Sequence, residues 1–285
     1  MSSIAGKNSP CVITRLEGGL GNQLFMYAAA RRLAYVNGVP LKLETLSGFE
    51  ADLRYKRVLM LDHFNIDFSE ASSSEAYLDS DRRKYYVRKI NRALPFSMRT
   101  FIEERKSFDP RILNIRIKRP IFLQGYWQDE RYFEDIADLL RSEVVVPSLG
   151  NTSPKAGLNW KNVIGVHFRR VDYGHLLPID YYRIAVQQAA ALKENPTFMA
   201  IGDDLDFIRN HASALFPANA NIIIPDTPSD QLADFHNLTQ CGSLVIANSS
   251  FSWWAAWLNN QPDKQIWAPA NWGYMAKSSR HWNLI

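Results

Sequence analysis

The sequence has little cysteine and no long apolar run, and both absences narrow the classes of protein it can represent. Only Cys11 and Cys241 occur in 285 residues, and each lies inside an apolar run. We therefore expect two buried structural thiols, not a disulfide framework or a thiolate metal site. No stretch reaches the roughly 18 apolar residues that a bilayer span needs, and the polar start lacks a secretory-signal pattern. These features predict a cytoplasmic protein without a membrane anchor.

The net charge is only +4, but the basic residues are concentrated in one segment. Arg82 to Arg119 contains thirteen Lys or Arg and three acidic residues. Such a segment is either a solvated helical face or a surface that attracts nucleic acid, an anionic membrane or a phosphorylated substrate. It contains no recognisable RNA-binding motif, so we expect no nucleic-acid partner.

Apolar, β-branched runs alternate with helical patterns along the chain, which is typical of an α/β fold with parallel sheets covered by helices. Strands are predicted at residues 11–16, 41–44, 121–125, 163–168, 197–201, 221–224, 243–247 and 264–268. Helices are predicted at residues 22–36, 132–143, 181–194, 205–216, 231–241 and 251–259. The stretch 146–162 is rich in Pro, Gly, Ser and Asn and predicts a boundary between two domains, residues 1–150 and 158–285.

Local signals set the ends of several predicted helices. The first helix carries an apolar stripe made of Phe25, Ala28, Ala29, Leu33 and Val36. Asn37 and Gly38 then predict a left-handed ending, and Pro40 prevents continuation. Asp180 and Ser229 stand where N-caps are expected.

A glycine-rich turn with the sequence EGGLGNQ, residues 17–23, separates the first predicted strand from the first predicted helix. Glycines allow a ligand to approach the backbone closely, and a helix N-terminus offers N–H groups to an anion. The segment matches neither the P-loop nor the dinucleotide-binding pattern. A plain tight turn is therefore the alternative interpretation.

The sequence HFRRVDY, residues 167–173, follows a predicted strand at its carboxyl end, where ligands bind in parallel sheets. Arginine presents a rigid fork of donors that can hold two phosphate oxygens. His167, Arg169, Arg170 and Asp172 therefore predict an anion site. The alternative is a buried pair of Arg169 and Asp172 beside a satisfied histidine.

A third segment, ANSSFSWWAAWL at residues 247–258, runs from a buried strand into a helix. The hydroxyls of Ser249 and Ser250 and the backbone N–H groups at this junction could hold an anion without a metal. The serines could instead cap the helix. The tryptophans that follow are more typical of a core than of a sugar-stacking platform.

Asp234 lies on a predicted helix, 16 residues before Ser250. A carboxylate accepts two parallel hydrogen bonds, which is the geometry that guanine N1–H and its exocyclic amine offer. A solvated aspartate on the helix surface is the alternative.

Taken together, GGLGNQLF, HFRRVDY and ANSSFSWWAAWL resemble the three sequence blocks of the α-1,2-fucosyltransferase family, in the same order and at similar spacing. The resemblance extends from about residue 12 to residue 275, and the wider group of inverting fucosyltransferases shares the His-x-Arg-Arg core. It implies a GT-B architecture of two Rossmann-like parallel-sheet domains facing across a cleft. Residues 1–150 would form the acceptor side, and residues 158–285 would bind GDP-fucose.

The resemblance also implies roles for individual residues of the second domain. Arg169 would be the essential arginine that neutralises the departing pyrophosphate, with support from Arg170. His167 and Asp234 would bind the guanosine part of the donor. The residues that would hold the phosphates are Ser249, Ser250 and Phe251.

In the first domain, the resemblance implies that Gly21, Asn22 and Gln23 reach toward the pyrophosphate and fucose of the donor. The general base for the acceptor hydroxyl is not identified by the sequence. Asp172, His175 and Glu17 lie beside the motifs and could each accept a proton. Asp172 could equally hold the arginines in place.

The implied reaction moves L-fucose from GDP-β-L-fucose to a galactoside hydroxyl with inversion, in α-1,2 linkage and without a metal or other cofactor. Charge develops on the leaving pyrophosphate, so its electrostatic stabilisation should dominate catalysis. We expect the acceptor to be a galactose-containing oligosaccharide of a surface glycan, linked to a lipid at the inner membrane face. The basic segment Arg82 to Arg119 would hold the enzyme at that surface.

Two other functions compete with this one. Asp204-Leu205-Asp206 resembles the Asp-x-Asp metal pair of metal-dependent nucleotide-sugar transferases. Asp203 and Asp204 could equally contact a nucleotide or cap a helix. A non-enzymatic module would instead bind nucleic acid through the basic segment or carbohydrate through the tryptophans.

Overall fold

The computed structural model describes residues 9–66, 68–76, 82–105, 108–146, 158–171, 175–226, 230–272, 279 and 281–285, with the side chains of residues 82 and 83 left out. The chain divides into two compact units, Met1–Val145 and Val146–Ile285. Each unit contains one sheet whose paired strands are all parallel. The α/β class predicted from the alternating pattern is therefore confirmed.

The first unit contains, in chain order, β1 (Val12–Arg15), α1 (Leu20–Asn37), β2 (Leu41–Glu44), α2 (Ser47–Glu50), β3 (Ser69–Glu70), α3 (Arg82–Ala93), β4 (Phe101–Glu103), β5 (Ile121–Gln124) and α4 (Ala137–Glu143). Among the described residues, five strands form the sheet in the order β3-β2-β1-β5-β4. The carboxyl end of β1, where the glycine-rich turn begins, is therefore flanked by the carboxyl ends of β2 and β5.

The end of α1 follows from its local sequence. Gly38 has φ 61° and donates its N–H to the carbonyls of Ala34 and Tyr35, as the predicted left-handed ending requires. The apolar stripe is buried except at Val36, which is 39% exposed. The stripe therefore leaves the core at the last turn of the helix.

The second unit contains β6 (Val163–Phe168), α5 (Ile179–Ala190), β7 (Thr197–Gly202), α6 (Leu205–Leu215), β8 (Asn221–Ile223), α7 (Gln231–Gln240), β9 (Ser243–Val245), α8 (Ser250–Leu258), β10 (Ile266–Ala268) and β11 (Asn283–Leu284). The described strands follow the order β11-β10-β9-β6-β7-β8. The carboxyl ends of β9, β6 and β7 thus lie side by side.

The core of the second unit explains several sequence features. All six residues of β6 are buried, as expected for a central parallel strand. A Cβ at Gly165 would lie 2.7 Å from Leu244 Cδ2 and 3.0 Å from Cys241 Sγ, so glycine is required for this packing. Both cysteines are buried free thiols, as predicted.

The tryptophans of α8 belong to the core, in agreement with the interpretation favoured from the sequence. Trp253 and Trp254 are fully buried, and Trp257 is 3% exposed. Their rings pack edge to face at 5.2 and 5.1 Å between centroids. They are therefore not available as an exposed sugar platform.

Three local predictions are wrong. The helix expected from residue 132 begins only at Ala137, because isolated 3-10 turns precede it and Phe133 has a non-helical backbone, with φ −149° and ψ 6°. Asp180 lies inside α5, whose N-cap is Pro178, and pairs with Arg183. Asp230 caps α7 by accepting from Leu232 N, so the cap is not Ser229, which lies outside the described residues.

No helix in the described part of the chain combines the length and the hydropathy needed to cross a bilayer.

Candidate functional site

The polar residues that follow β6 lie at the carboxyl edge of the second sheet. His167 is part of the strand and only 5% exposed, and its ring lies 5.4 Å from that of Phe251, between centroids. Burial and the nearby Arg169 lower the pKa of His167 to about 3. The imidazole is therefore neutral at physiological pH, and its Nδ1 has no hydrogen-bond partner among the described residues.

One carboxylate holds the three residues after β6. Asp203 accepts from Arg170 N at 2.7 Å and from Val171 N at 3.2 Å, and pairs with Arg169 Nη1 at 3.2 Å. Asp203 directly follows β7, the neighbour of β6 in the sheet. Its close approach depends on Gly202, where a Cβ would lie 2.6 Å from the carbonyl oxygen of Phe168.

The two arginines have different surroundings. The Arg169 side chain is 26% exposed and points one guanidinium nitrogen toward Asp203. The Arg170 guanidinium lies 3.8 Å above the centre of the Phe207 ring, on α6. Asp203 pairs with Arg169, whereas the Arg170 guanidinium lies over an aromatic ring, and two arginine side chains at this edge of the sheet suit an anionic ligand.

The turn between β9 and α8 forms the other side of this edge. Ser249 is the N-cap residue of α8, but its side chain makes no capping hydrogen bond, so the capping interpretation does not hold for Ser249. Asn248 donates from Nδ2 to the His175 carbonyl at 2.8 Å, while its buried Oδ1 has no partner within the described residues. The first turn of a helix presents free N–H groups that can donate hydrogen bonds to an anion.

α7 packs beside α8 and brings the residues around Asp234 to the same region. The rings of Phe235 and Phe251 lie 5.2 Å apart between centroids, and Phe251 in turn contacts His167. Asp234 is in the first turn of α7 and half-buried. The structure thus connects the second and third sequence blocks through Phe251.

The glycine-rich turn of the first unit has a different construction. Gly18 has φ 75°, a conformation that favours glycine, and Gly19 is the N-cap of α1. Gly21 is buried in the first turn of the helix, and the half-buried Asn22 accepts from Gln128 Nε2 at 2.8 Å.

The side chain of Gln23 is completely buried and makes its hydrogen bonds within the protein. Its Nε2 donates to the carbonyls of Gly18 and Val58 at 2.9 and 2.8 Å. Its Oε1 accepts from Met60 N at 2.9 Å. These bonds fix the turn to the segment around Val58 and give Gln23 a structural role; the donor contact expected from the resemblance stays a prediction.

The structure describes two of the three candidates for the general base. Asp172 lies outside the described residues. His175 is exposed. In the first unit, Glu17 Oε2 lies 3.5 Å from Arg15 Nε. The identity of the base therefore stays open among these three residues.

The Asp-x-Asp pair is accounted for by the start of α6. Asp204 is the N-cap residue and accepts from Phe207 N at 2.8 Å. Asp206 is exposed and pairs with Arg209 at 3.1 Å. Within the residues described, no group of three or more His, Cys, Asp or Glu side chains could hold a metal ion.

Sequence reasoning missed the function of Asp203 as the residue that holds both arginines. The available signal was its position two residues after the predicted strand 197–201, in the same predicted domain as the strand 163–168. That signal was insufficient because the order of strands in the sheet is not readable from spacing alone.

Two curated relatives from Escherichia coli are similar to nearly the whole chain. An alpha-1,2-colitosyltransferase is 29% identical over 279 residues, covering 92% of each chain. The O-antigen biosynthesis glycosyltransferase WbnK is 26% identical over 293 residues, covering 90% of this chain and 93% of the relative.

Solved structures share the fold at low sequence identity. A mutant of Arabidopsis thaliana FUT1 in complex with GDP has a TM-score of 0.58 and 13% identity, covering 91% of this chain and 70% of that one. NodZ alpha-1,6-fucosyltransferase soaked with GDP-fucose has a TM-score of 0.50 and 14% identity, and the match covers 88% of this chain and 92% of NodZ. The GT-B fold class predicted from the sequence is confirmed.

The family model named glycosyl transferase family 11 matches residues 11–280, which include all three sequence blocks. With parallel α/β units, a cationic carboxyl edge on the second sheet and relatives that are glycosyltransferases, the chain belongs to glycosyl transferase family 11.

Proposed function

We propose that this glycosyltransferase moves L-fucose from GDP-β-L-fucose to a galactose hydroxyl of a surface glycan, in α-1,2 linkage, with inversion and without a metal. The observation that carries the proposal is the arrangement of Arg169, held by Asp203, beside neutral His167 and the start of α8. It combines a fixed cation, helix N–H groups and a neutral ring at one sheet edge.

In the proposed reaction, the bond between fucose C1 and the β-phosphate oxygen breaks as the acceptor oxygen attacks from the opposite face. The electron pair of the broken bond goes to the pyrophosphate, and the acceptor proton goes to a base. Arg169 neutralises the charge that develops, with Arg170 as support and Ser249, Ser250 and Phe251 along the phosphates. His167 and Asp234 bind guanosine.

The relatives support individual parts of this proposal. FUT1 was solved with GDP, and NodZ was soaked with GDP-fucose, which supports a guanosine diphosphate donor. The alpha-1,2-colitosyltransferase supports the linkage, and the name of WbnK supports a role in O-antigen synthesis. Roles of Gly21 and Asn22 toward the donor stay predictions.

The colitosyltransferase relative also favours a second candidate, transfer of colitose from GDP-colitose. Colitose is L-fucose without its 3-hydroxyl, so both donors present the same nucleotide and pyrophosphate to the site. A site that hydrogen-bonds the 3-hydroxyl would discriminate strongly against the sugar that lacks it, because its polar groups would lose their partner.

The nucleotide is tested by thermal unfolding with GDP, UDP and ADP, each with and without EDTA. A ligand that binds only the folded state must raise the melting temperature. We expect stabilisation by GDP alone, unchanged by EDTA. Equal shifts with all three nucleotides, or a GDP shift that EDTA abolishes, would contradict the proposal.

The donor and the linkage are tested by transfer to a β-galactoside acceptor, with GDP-fucose and GDP-colitose compared at equal concentration. We expect a fucosylated product whose NMR spectrum shows an α-linkage at the galactose 2-hydroxyl. A higher kcat/KM with GDP-colitose would replace fucose by colitose and leave the family assignment intact. A β-linked product would exclude inversion from the β-linked donor.

A further inference from the structure

A cluster of cations lines a cavity of about 510 Å³ in the first unit, outside the candidate site. Arg111, at its wall, pairs with Asp109 at 2.5 Å. Within the part of the chain that the structure describes, the other cations of the lining have no carboxylate within ion-pair distance; these are Arg99, Arg116, Lys118 and Arg119. The lining as described therefore carries five cationic side chains and no carboxylate.

The frame that carries these cations is held by internal hydrogen bonds. Asn37, at the end of α1, donates to Ile115 O and accepts from Ile117 N, both at 3.0 Å. Ile115 and Ile117 are each 8% exposed, whereas Arg116 and Lys118 alternate with them and are exposed. The alternation commits the apolar side chains to the core and the cationic ones to the cavity.

The two remaining cations are anchored through backbone carbonyls. Arg99 donates to Leu94 O at 3.0 Å and to Arg92 O at 3.1 Å, and Arg119 donates to Met98 O at 2.9 Å. A carbonyl acceptor orients a guanidinium without cancelling its charge. These bonds also connect the wall of the cavity to the C-terminal end of α3.

α3 continues the cationic surface with exposed apolar side chains. Tyr85, Tyr86 and Ile90 are 57%, 60% and 61% exposed, although the helix buries Asn91. The helix sequence RRKYYVRKINRA contains no acidic residue. Cationic side chains interspersed with tyrosine and aliphatic residues are typical of helices that lie in the interface of an anionic membrane.

The cavity lies at the opposite edge of the first sheet from the glycine-rich turn. Arg119 and Arg99 come just before β5 and β4, at their amino ends, whereas the turn follows the carboxyl end of β1, which is parallel to β5. A strand of four residues separates the two edges by about 13 Å. A change in the cavity should therefore leave the glycine-rich turn intact.

We propose that α3 and the cationic cavity form a membrane-docking surface, in which phosphates of anionic lipids enter the cavity while Tyr85, Tyr86 and Ile90 contact the interface. Ile90 argues for lipid over nucleic acid, because an aliphatic side chain inserts between acyl chains but offers no stacking face to a base. Docking through this surface does not depend on the proposed transfer reaction.

The test is sedimentation of the full chain with vesicles of phosphatidylcholine alone or mixed with phosphatidylglycerol, at low ionic strength. We expect retention on the mixed vesicles only, with release as salt is added. The double variant Arg116→Glu/Lys118→Glu should lower the bound fraction by about tenfold or more, because each basic residue near an anionic surface contributes to binding. Tyr85→Ser/Tyr86→Ser should lower retention without changing the net charge.

The matched control is Lys161→Glu/Arg183→Glu, which makes the same charge change at exposed positions of the second unit. It should retain vesicle binding, and circular dichroism melts should show that all variants fold. If both double charge-reversal variants lost vesicle binding equally, the effect would depend on net charge alone, which would overturn the proposal. If inorganic pyrophosphate stabilised the protein but vesicles did not retain it, the cavity would bind a soluble phosphate ligand and the proposal would be overturned. If the protein bound RNA but not vesicles, the surface would be assigned to nucleic acid instead.

Discussion

The two strand-to-helix turns that the sequence singles out are built in opposite ways. In the first unit, the turn after β1 is closed by Gln23, whose amide makes three hydrogen bonds to backbone groups. In the second unit, Ser249 does not cap α8, and the buried Asn248 Oδ1 has no partner among the described residues.

This difference distinguishes a turn whose polar groups are bonded within the protein from a turn with open polar groups, which we propose bind the donor. Buried polar groups are almost always hydrogen-bonded, because an unsatisfied one costs about 1–3 kcal/mol. The first turn meets this requirement internally. In the second, Asn248 Oδ1 and His167 Nδ1 have no partner within the described residues, so a water molecule or a ligand can supply one. Two similar sequence signals therefore correspond to different physical roles.

The strongest test of this comparison is Arg169→Ala. We expect a loss of roughly 10²–10³ in kcat, since one donor to the developing charge is removed, while the protein stays folded. The kcat of Arg169→Lys should lie between those of the wild-type protein and the alanine variant, because lysine keeps the charge but lacks the planar guanidinium. Arg183→Ala, an exposed arginine on α5, is the control in the same assay. Near-normal turnover of the alanine variant would remove Arg169 from the mechanism.

Gln23→Ala should act on stability instead. It removes three hydrogen bonds to partly buried backbone groups, so we expect the free energy of unfolding in urea to fall by roughly 1–3 kcal/mol. Gln187→Ala, an exposed glutamine on a helix, should change it little. GDP should still raise the melting temperature of the folded Gln23 variant. A variant that unfolds normally but no longer responds to GDP would mean that Gln23 is a ligand contact after all.

Asp203→Asn tests whether Arg169 and the adjoining backbone are positioned by this carboxylate. The amide keeps one acceptor but loses the charge and the second acceptor, so we expect kcat to fall by about tenfold to 10²-fold with a smaller change in KM. Asp206→Asn, an exposed aspartate at the start of α6, is the control. A drop in melting temperature with unchanged kcat would assign Asp203 a purely structural role.

The smallest expected effect concerns His167, whose lowered pKa should make the free energy of unfolding depend on pH. Its pKa is about 3 in the folded protein and 6.5 for an ordinary histidine, so the unfolded state binds more protons between these values. Stability should therefore fall as pH decreases below 6.5, by up to about 1.4 kcal/mol per pH unit. His167→Gln should flatten this slope in urea unfolding, and the exposed His63→Gln should not. An unchanged slope in the first variant would contradict the buried neutral ring.

The helices and strands that bury most of their residues in the core were the ones that the sequence predicted. α1 and β6 were recognisable because their buried residues recur with the period of a helix or fill a central strand. α3 was not placed, since its apolar residues Tyr85, Tyr86 and Ile90 point to solvent and give no inward stripe. β3 and β11 have two residues each, which is too short for any periodic signal.

The candidate site was predictable where chemistry and position coincided in one segment. His167 and Arg169 follow a strand that reads clearly as buried, so their location at a carboxyl edge could be expected. The contact of His167 with Phe251 and the pairing of Arg169 with Asp203 join segments about 84 and 34 residues apart in sequence. Such contacts depend on strand order, which local patterns do not encode.

The sequence by itself determined the α/β class, the three motifs and the resemblance to fucosyltransferases, because hydrophobic periodicity and residue type act locally. Only the tertiary structure decided that Gln23 braces its turn, that Asp203 holds the arginines and that Ser249 leaves α8 without a side-chain cap. Each of these depends on which strands lie side by side, since a side chain can satisfy or leave open only the polar groups that packing brings within hydrogen-bond distance.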